Sequence, residues 1–99
     1  MVTVIATLRV QSGKEEAFQR EAEKMITHVK ANEPGTLTYV LHRSSADPTE
    51  FMFYEVYKDQ EALNTHGASE PMRHFFGAVG GFVAGRPEIK TFQEVAGKK

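Results

Sequence analysis

The stretch FMFYEVYKDQEALNTHGASEPMRHFF, Phe51 to Phe76, decides the fold. It opens on an unbroken apolar and aromatic run, Phe51-Met52-Phe53-Tyr54, continued by Glu55-Val56-Tyr57. A short run of this composition, apolar on both sides, predicts a strand buried on two faces. Lys58-Asp59 breaks the pattern, and Asp59 is a good N-cap for a short helix over Gln60 to Thr65. His66-Gly67 ends that helix. Ser69 is placed to cap a second one, with Pro71 in its first turn, where a missing N–H is tolerated. One strand, a broken helix and a histidine at the break are the parts that can carry chemistry.

Upstream, Val2, Val4, Ala6, Leu8 and Val10 alternate with Thr3, Ile5, Thr7 and Arg9, which predicts a first strand with one fully apolar face. Ser12-Gly13-Lys14-Glu15 reads as a capping box, the serine and glutamate each satisfying the other's free N–H. A long helix to about Ala31 follows, with Phe18, Ala22, Met25 and Val29 on one stripe, and Asn32-Glu33-Pro34-Gly35 stops it. A second strand is expected from Thr36 to Arg43, with Leu37, Tyr39 and Leu41 on one face, joined through a turn-rich loop to the third, Phe51 to Lys58. The second helical region runs from Asp59 to about Val83, with Met72, Phe75, Phe76, Val79 and Val83 on its inner stripe. A last strand is expected over about Glu88 to Val95. The order β-α-β-β-α-β is the split βαβ pattern of α+β ferredoxin-like folds: a four-stranded antiparallel sheet with the helices on one face. The other face should be polar in a monomer, yet Met52, Tyr54 and Val56 point there. An apolar second face calls for a partner, so a homodimer packed sheet against sheet is expected.

The chain of 99 residues makes one domain, residues 1–99. A net charge of −1, with acids and bases mixed along the chain, gives no electrostatic case for nucleic acid or an anionic membrane surface. There is no cysteine, hence no disulfide frame and no thiolate nucleophile. No apolar stretch approaches the ~20 residues needed to cross a bilayer. MVTVIATLRV lacks a basic leader and a cleavage-type ending, so no signal peptide and a cytoplasmic location are expected.

Four histidines are present, and helical geometry separates two of them. His74 falls opposite the inner stripe and should face solvent. His66 follows Leu63 by one turn, on the inward side at the helix break, where a pocket wall is expected. An imidazole, with an ordinary pKa near ~6.5, takes or gives a proton at neutral pH; the competing reading is a buried histidine bonded to the backbone. His28 and His42 read as structural or exposed. Glu55 interrupts an aromatic strand on the face of Phe53 and Tyr57, and an inward carboxylate needs a partner. That partner is either structural (a hydrogen bond, or an ion pair with Arg43 or Arg9 across a dimer) or functional, with Glu55 as acid/base or as orienter of a histidine. Tyr39, Tyr54 and Tyr57, with Phe53, Met72 and Phe76, are the candidates to line a substrate pocket. No HxH or HExxH occurs, so no metal site is expected. The glycines around Ala78 to Gly85 do not follow a strand or fit a phosphate-loop spacing, and read as helix packing and termination.

VTVIATLRV in the first strand, the Glu33-Pro34-Gly35-Thr36 turn leading to Tyr39, and the run from Phe53 to His66 (aromatic-Tyr-Glu-x-aromatic-x-Asp-x-x-Ala-Leu-x-x-His) resemble the antibiotic biosynthesis monooxygenase family over nearly the whole chain. The resemblance implies a dimeric α+β barrel with a pocket between sheet and helices in each subunit. It also implies a cofactor-independent oxidation of an electron-rich aromatic, such as a hydroquinone, by O₂, with His66 as base and Glu55 and a tyrosine orienting it or the substrate. Tyr57 stands where many members have tryptophan. The first strand lacks the asparagine, and position 66 the tryptophan, of the haem-degrading branch, which argues against haem chemistry. The Tyr-Glu-x-Tyr-Lys-Asp wording is closer to a branch that isomerises a phosphorylated autoinducer sugar, for which Arg73, Arg43 or Lys58 would bind phosphate. A dimeric barrel that only binds a small ligand is the third expectation.

Overall fold

The computed structural model describes residues 1–99. The elements are β1 (Val2–Arg9), α1 (Glu15–Asn32), β2 (Thr36–Arg43), β3 (Glu50–Tyr57), α2 (Gln60–Gly67), α3 (Glu70–Val79) and β4 (Glu88–Gln93). The strands form one antiparallel sheet in the order β2-β3-β1-β4, the ferredoxin-like arrangement expected from the pattern. The main core lies between this sheet and the helices. All four residues of the α1 stripe, Phe18, Ala22, Met25 and Val29, are buried against Ala6, Leu8, Phe51 and Phe53 of the sheet and Met72, Phe75 and Val79 of α3. Phe18 meets Phe51 and Phe75 at ring-centroid distances of 4.9 and 5.9 Å.

Four local expectations are corrected. Ser12 does not cap α1. Gly13 turns the chain at φ 92°, Lys14 occupies the N-cap without a side-chain bond, and Glu15 instead takes the Gly13 N–H at 2.7 Å. The left-handed glycine moves the helix start past the serine's reach. In β2 a register shift between Thr36 and Thr38 turns Leu37 outward, 50% exposed, while Tyr39 and Leu41 keep their inward side. α3 ends at Val79 rather than near Val83, and the chain turns so that Val83 bridges Val10. Phe76 leaves the inner stripe and is 44% exposed. The caps of the two shorter helices are as read: Asp59 accepts from Ala62 N at 2.9 Å, and Ser69 from Met72 N at 3.2 Å.

The register sorts the sheet into rows, because residues directly opposite share a face. On the helix side, Tyr39–Glu55–Val4 and Leu41–Phe53–Ala6–Ile89 cross the strands. On the other side run Val40–Tyr54–Ile5–Lys90 and Thr38–Val56–Thr3–Phe92. That second face is open in the single chain, with the apolar side chains Val40, Tyr54 and Phe92 among its exposed residues. No helix is long and apolar enough to cross a membrane.

Candidate functional site

Between the helix-side rows and the two short helices lies a cavity of about 170 Å³. Its floor is Val4, Ala6 and Leu8 of β1, Phe53 and Glu55 of β3 and Tyr39 of β2. Leu63, His66 and Gly67 of α2 and Met72, Phe75 and Phe76 of α3 form its roof, and Pro87 and Ile89 its rim. Ten of these fourteen lining residues are hydrophobic. A dry apolar cavity of ~150 Å³ holds a benzene ring, so this space suits one aromatic ring. The break between α2 and α3 builds it. Two capped helices meet at Ala68, and the second leaves at an angle that puts Met72 and Phe75, rather than a continued α2, over the sheet.

His66, only 2% exposed, supplies a polar wall. Its Nδ1 lies 2.8 Å from Glu33 Oε1, the last residue before the Pro34-Gly35 turn. The same oxygen accepts the Thr36 hydroxyl at 2.9 Å. With Nδ1 committed, Nε2 is buried with no hydrogen-bond partner in the chain. A buried imidazole nitrogen left unpaired carries a desolvation penalty, and a ligand proton donor would relieve it. Tyr39 and Tyr57 flank the ring at centroid distances of 5.0 and 5.4 Å. Tyr39 also stacks on Phe53 at 5.0 Å.

Glu55 is the second polar wall. The Tyr57 hydroxyl donates to its Oε1 at 2.5 Å. Burial pushes the Glu55 carboxyl up to about 7; the Tyr57 bond opposes the rise and the nearby Glu33 adds to it. Burial, assisted by Glu55, also pushes the Tyr39 and Tyr57 hydroxyls above the ordinary tyrosine range, so both stay neutral. The cavity is thus lined by a histidine whose Nε2 is buried and unpaired, by a carboxyl that burial pushes up to about 7 and by one neutral phenol. No three His, Cys, Asp or Glu side chains come together where they could hold a metal ion.

The placement of the sequence candidates divides cleanly. His66, Glu55, Tyr39, Phe53, Met72 and Phe76 line the cavity, Phe76 from its open side. Tyr57 is fully buried in the smaller core with Val2 and Val4 and reaches the site only through Glu55 and His66. Tyr54 is a correction: it points to the opposite face of the sheet and does not line the cavity. Glu55 bonds Tyr57 rather than His66, and the carboxylate on His66 is Glu33. Neither candidate arginine pairs with Glu55 within the chain, since Arg9 bonds Asp47 at 2.6 Å and Arg43 the Pro48 carbonyl at 2.7 Å. His74 is exposed, as expected from its helical phase. Glu33 is the residue that sequence reasoning missed. It stood inside the quoted turn, but helix-ending glutamates are ordinarily solvated, and its partner lies 33 positions away.

The family model for antibiotic biosynthesis monooxygenase matches residues 1–78, which covers β1 through most of α3. A curated relative, "Putative monooxygenase YcnE" of Bacillus subtilis (strain 168), is 30% identical over 79 residues, 80% of this chain and 79% of that protein. A crystal structure from Caulobacter crescentus CB15, titled with the same family name, superposes with a TM-score of 0.92 at 35% identity, over 96% of this chain and 90% of that one. PA3566 from Pseudomonas aeruginosa superposes with a TM-score of 0.86 at 27% identity, over 96% and 94% of the two chains.

Proposed function

This chain belongs to the antibiotic biosynthesis monooxygenase family, and from that premise we propose that it oxidises a single-ring, electron-rich aromatic such as a hydroquinone with O₂ and without a cofactor. The observation that carries the reading is the buried, unpartnered Nε2 of His66, a residue that lines an apolar cavity of about 170 Å³. His66 Nε2 takes the phenolic proton, and the resulting anion is electron-rich at ring carbon. The anion gives one electron to O₂, the two radicals join in a C–O bond at that carbon, and the peroxide anion so formed takes a proton to become the hydroperoxide. Loss of water across the O–O bond, with the hydrogen of the same carbon, leaves a carbonyl. The protein supplies a base, a close apolar fit and exclusion of water. Glu55, whose carboxyl burial pushes up to about 7, returns a proton. The chain works as a homodimer that pairs the apolar outer faces of two sheets.

The phosphosugar isomerase reading fits the lining less well. None of Arg43, Lys58 and Arg73 reaches the cavity, and its one acid, Glu55, would face a phosphate with no cation between them. Oxygen uptake by metal-free protein with a panel of monocyclic and polycyclic hydroquinones tests the proposal. Uptake above autoxidation is expected with single-ring substrates and is lost in His66→Ala. No uptake with any quinol, or full activity in that variant, would overturn it.

A further inference from the structure

We propose that Glu33 is the positioning residue that sets the tautomer of His66. The chemical consequence rests on the reading of His66 as a base; the geometry stands without it. A carboxylate offers only acceptors. Glu33 Oε1, 2.8 Å from His66 Nδ1, therefore faces an Nδ1–H, and neutral His66 keeps its lone pair on Nε2, the nitrogen without a partner. The opposite tautomer would set two lone pairs against each other at that distance. The side chains of His66 and Glu33 are 3% and 8% exposed, so little water is present to soften the clash.

The second oxygen extends the device outward. Glu33 Oε2 is buried and makes no hydrogen bond, and the one imidazole in ion-pair range is His28 Nε2 at 3.5 Å. The Asn32 amide nitrogen donates to the His28 carbonyl at 3.2 Å and faces His28 Nδ1 at 3.1 Å. Since the amide nitrogen is the donor there, neutral His28 carries its proton on Nε2, the nitrogen nearer Glu33. One carboxylate thus lies between two imidazoles, hydrogen-bonded to that of α2 and in ion-pair range of that of α1. Its backbone is fixed as well, because Glu33 N–H bonds the Val29 carbonyl at 3.0 Å and the Glu33 carbonyl accepts from Thr36 N at 3.1 Å. The Thr36 hydroxyl bond to Oε1 also holds the side chain, so Glu33 resists following His66 if the ring turns.

Ring-nitrogen NMR at a pH of about 9, where imidazoles are neutral, tests this on the wild-type protein alone. Expected is a protonated Nδ1 and a bare Nε2 for His66; a protonated Nε2 in the wild type overturns the assignment. In Glu33→Met, of similar length but without an acceptor, the single tautomer is lost, and kcat with the quinol falls on the order of 10²-fold or more while KM stays within a few-fold. A folded variant that keeps the Nδ1–H tautomer, or loses activity without a tautomer change, shows a merely structural role and also overturns it. If the wild type has the expected tautomer but turns over no quinol, the functional reading fails and the positioning assignment holds.

Discussion

Glu55 stores a measurable pH dependence in one side chain. Its carboxyl titrates near 4.5 in an open chain and is pushed to about 7 by burial in the fold. The folded protein therefore binds the proton more tightly than the unfolded one, and Glu55 supports the fold below about 4.5 and loses that support as pH rises through about 7. At about 1.36 kcal/mol per unit, the loss is on the order of 3 kcal/mol. Urea unfolding of the wild type from pH 5 to 8 should show stability falling over this window, and Glu55→Gln, which cannot ionise, should flatten the fall and be the more stable protein at pH 8. Parallel curves for the two proteins would mean that Glu55 stays charged or solvated. The sequence made Glu55 visible as the one acid in an aromatic strand, and its inward side followed from alternation alone. That Tyr57 two residues along would be its donor did not follow from alternation, because it depends on how far both side chains turn toward one another under α2.

The turn after α1 and the helix α2 work as one element pair. Gly35 is needed there for space rather than for an unusual backbone angle, since a Cβ at this position would stand 2.7 Å from the Ala62 Cβ of α2. That close approach brings Glu33 to His66 and lets Gly35 O accept the Lys58 N–H at 2.9 Å. A methyl group against a methyl group has nowhere to rotate. Gly35→Ala should lift α2 off the turn, cost about 1–3 kcal/mol in urea unfolding and disturb the His66 ring-nitrogen signals. Unchanged stability and signals would show that the contact relaxes freely. The turn was legible as a helix stop in Asn32-Glu33-Pro34-Gly35, and α2 in its Asp59 cap. Their contact was not, because helix stops and caps are satisfied within a few residues and carry no address for a distant partner. The register shift at Leu37 is a similar case: the run Leu37-Thr38-Tyr39 alternates regularly in sequence, and only pairing with Val56 and Tyr57 of β3 exposes the extra residue.

At the scale of the whole molecule, the open sheet face carries the remaining prediction. Val40, Tyr54 and Ile5 lie side by side across three strands, and Phe92 continues the apolar surface on the edge strand β4. Tyr54 is 38% and Val40 45% exposed, too much apolar surface in one continuous patch for a sheet that meets only water. Sedimentation at micromolar concentration should give a dimer, and Tyr54→Glu should give a monomer with the same circular dichroism. A wild-type monomer would remove the paired-sheet arrangement. What the sequence determined by itself was whatever repeats with a local period. The alternation in β1, the stripe on α1, the capped break at His66 and the element order are all written within a few residues of where they act, and these set the ferredoxin-like topology and the inward side of His66 and Glu55. Tertiary structure decided which polar groups meet and that a space for one ring remains. Those depend on how β2, α2 and α3 settle against one another, and side-chain pairing across distant elements is set by nonlocal packing rather than by any local period.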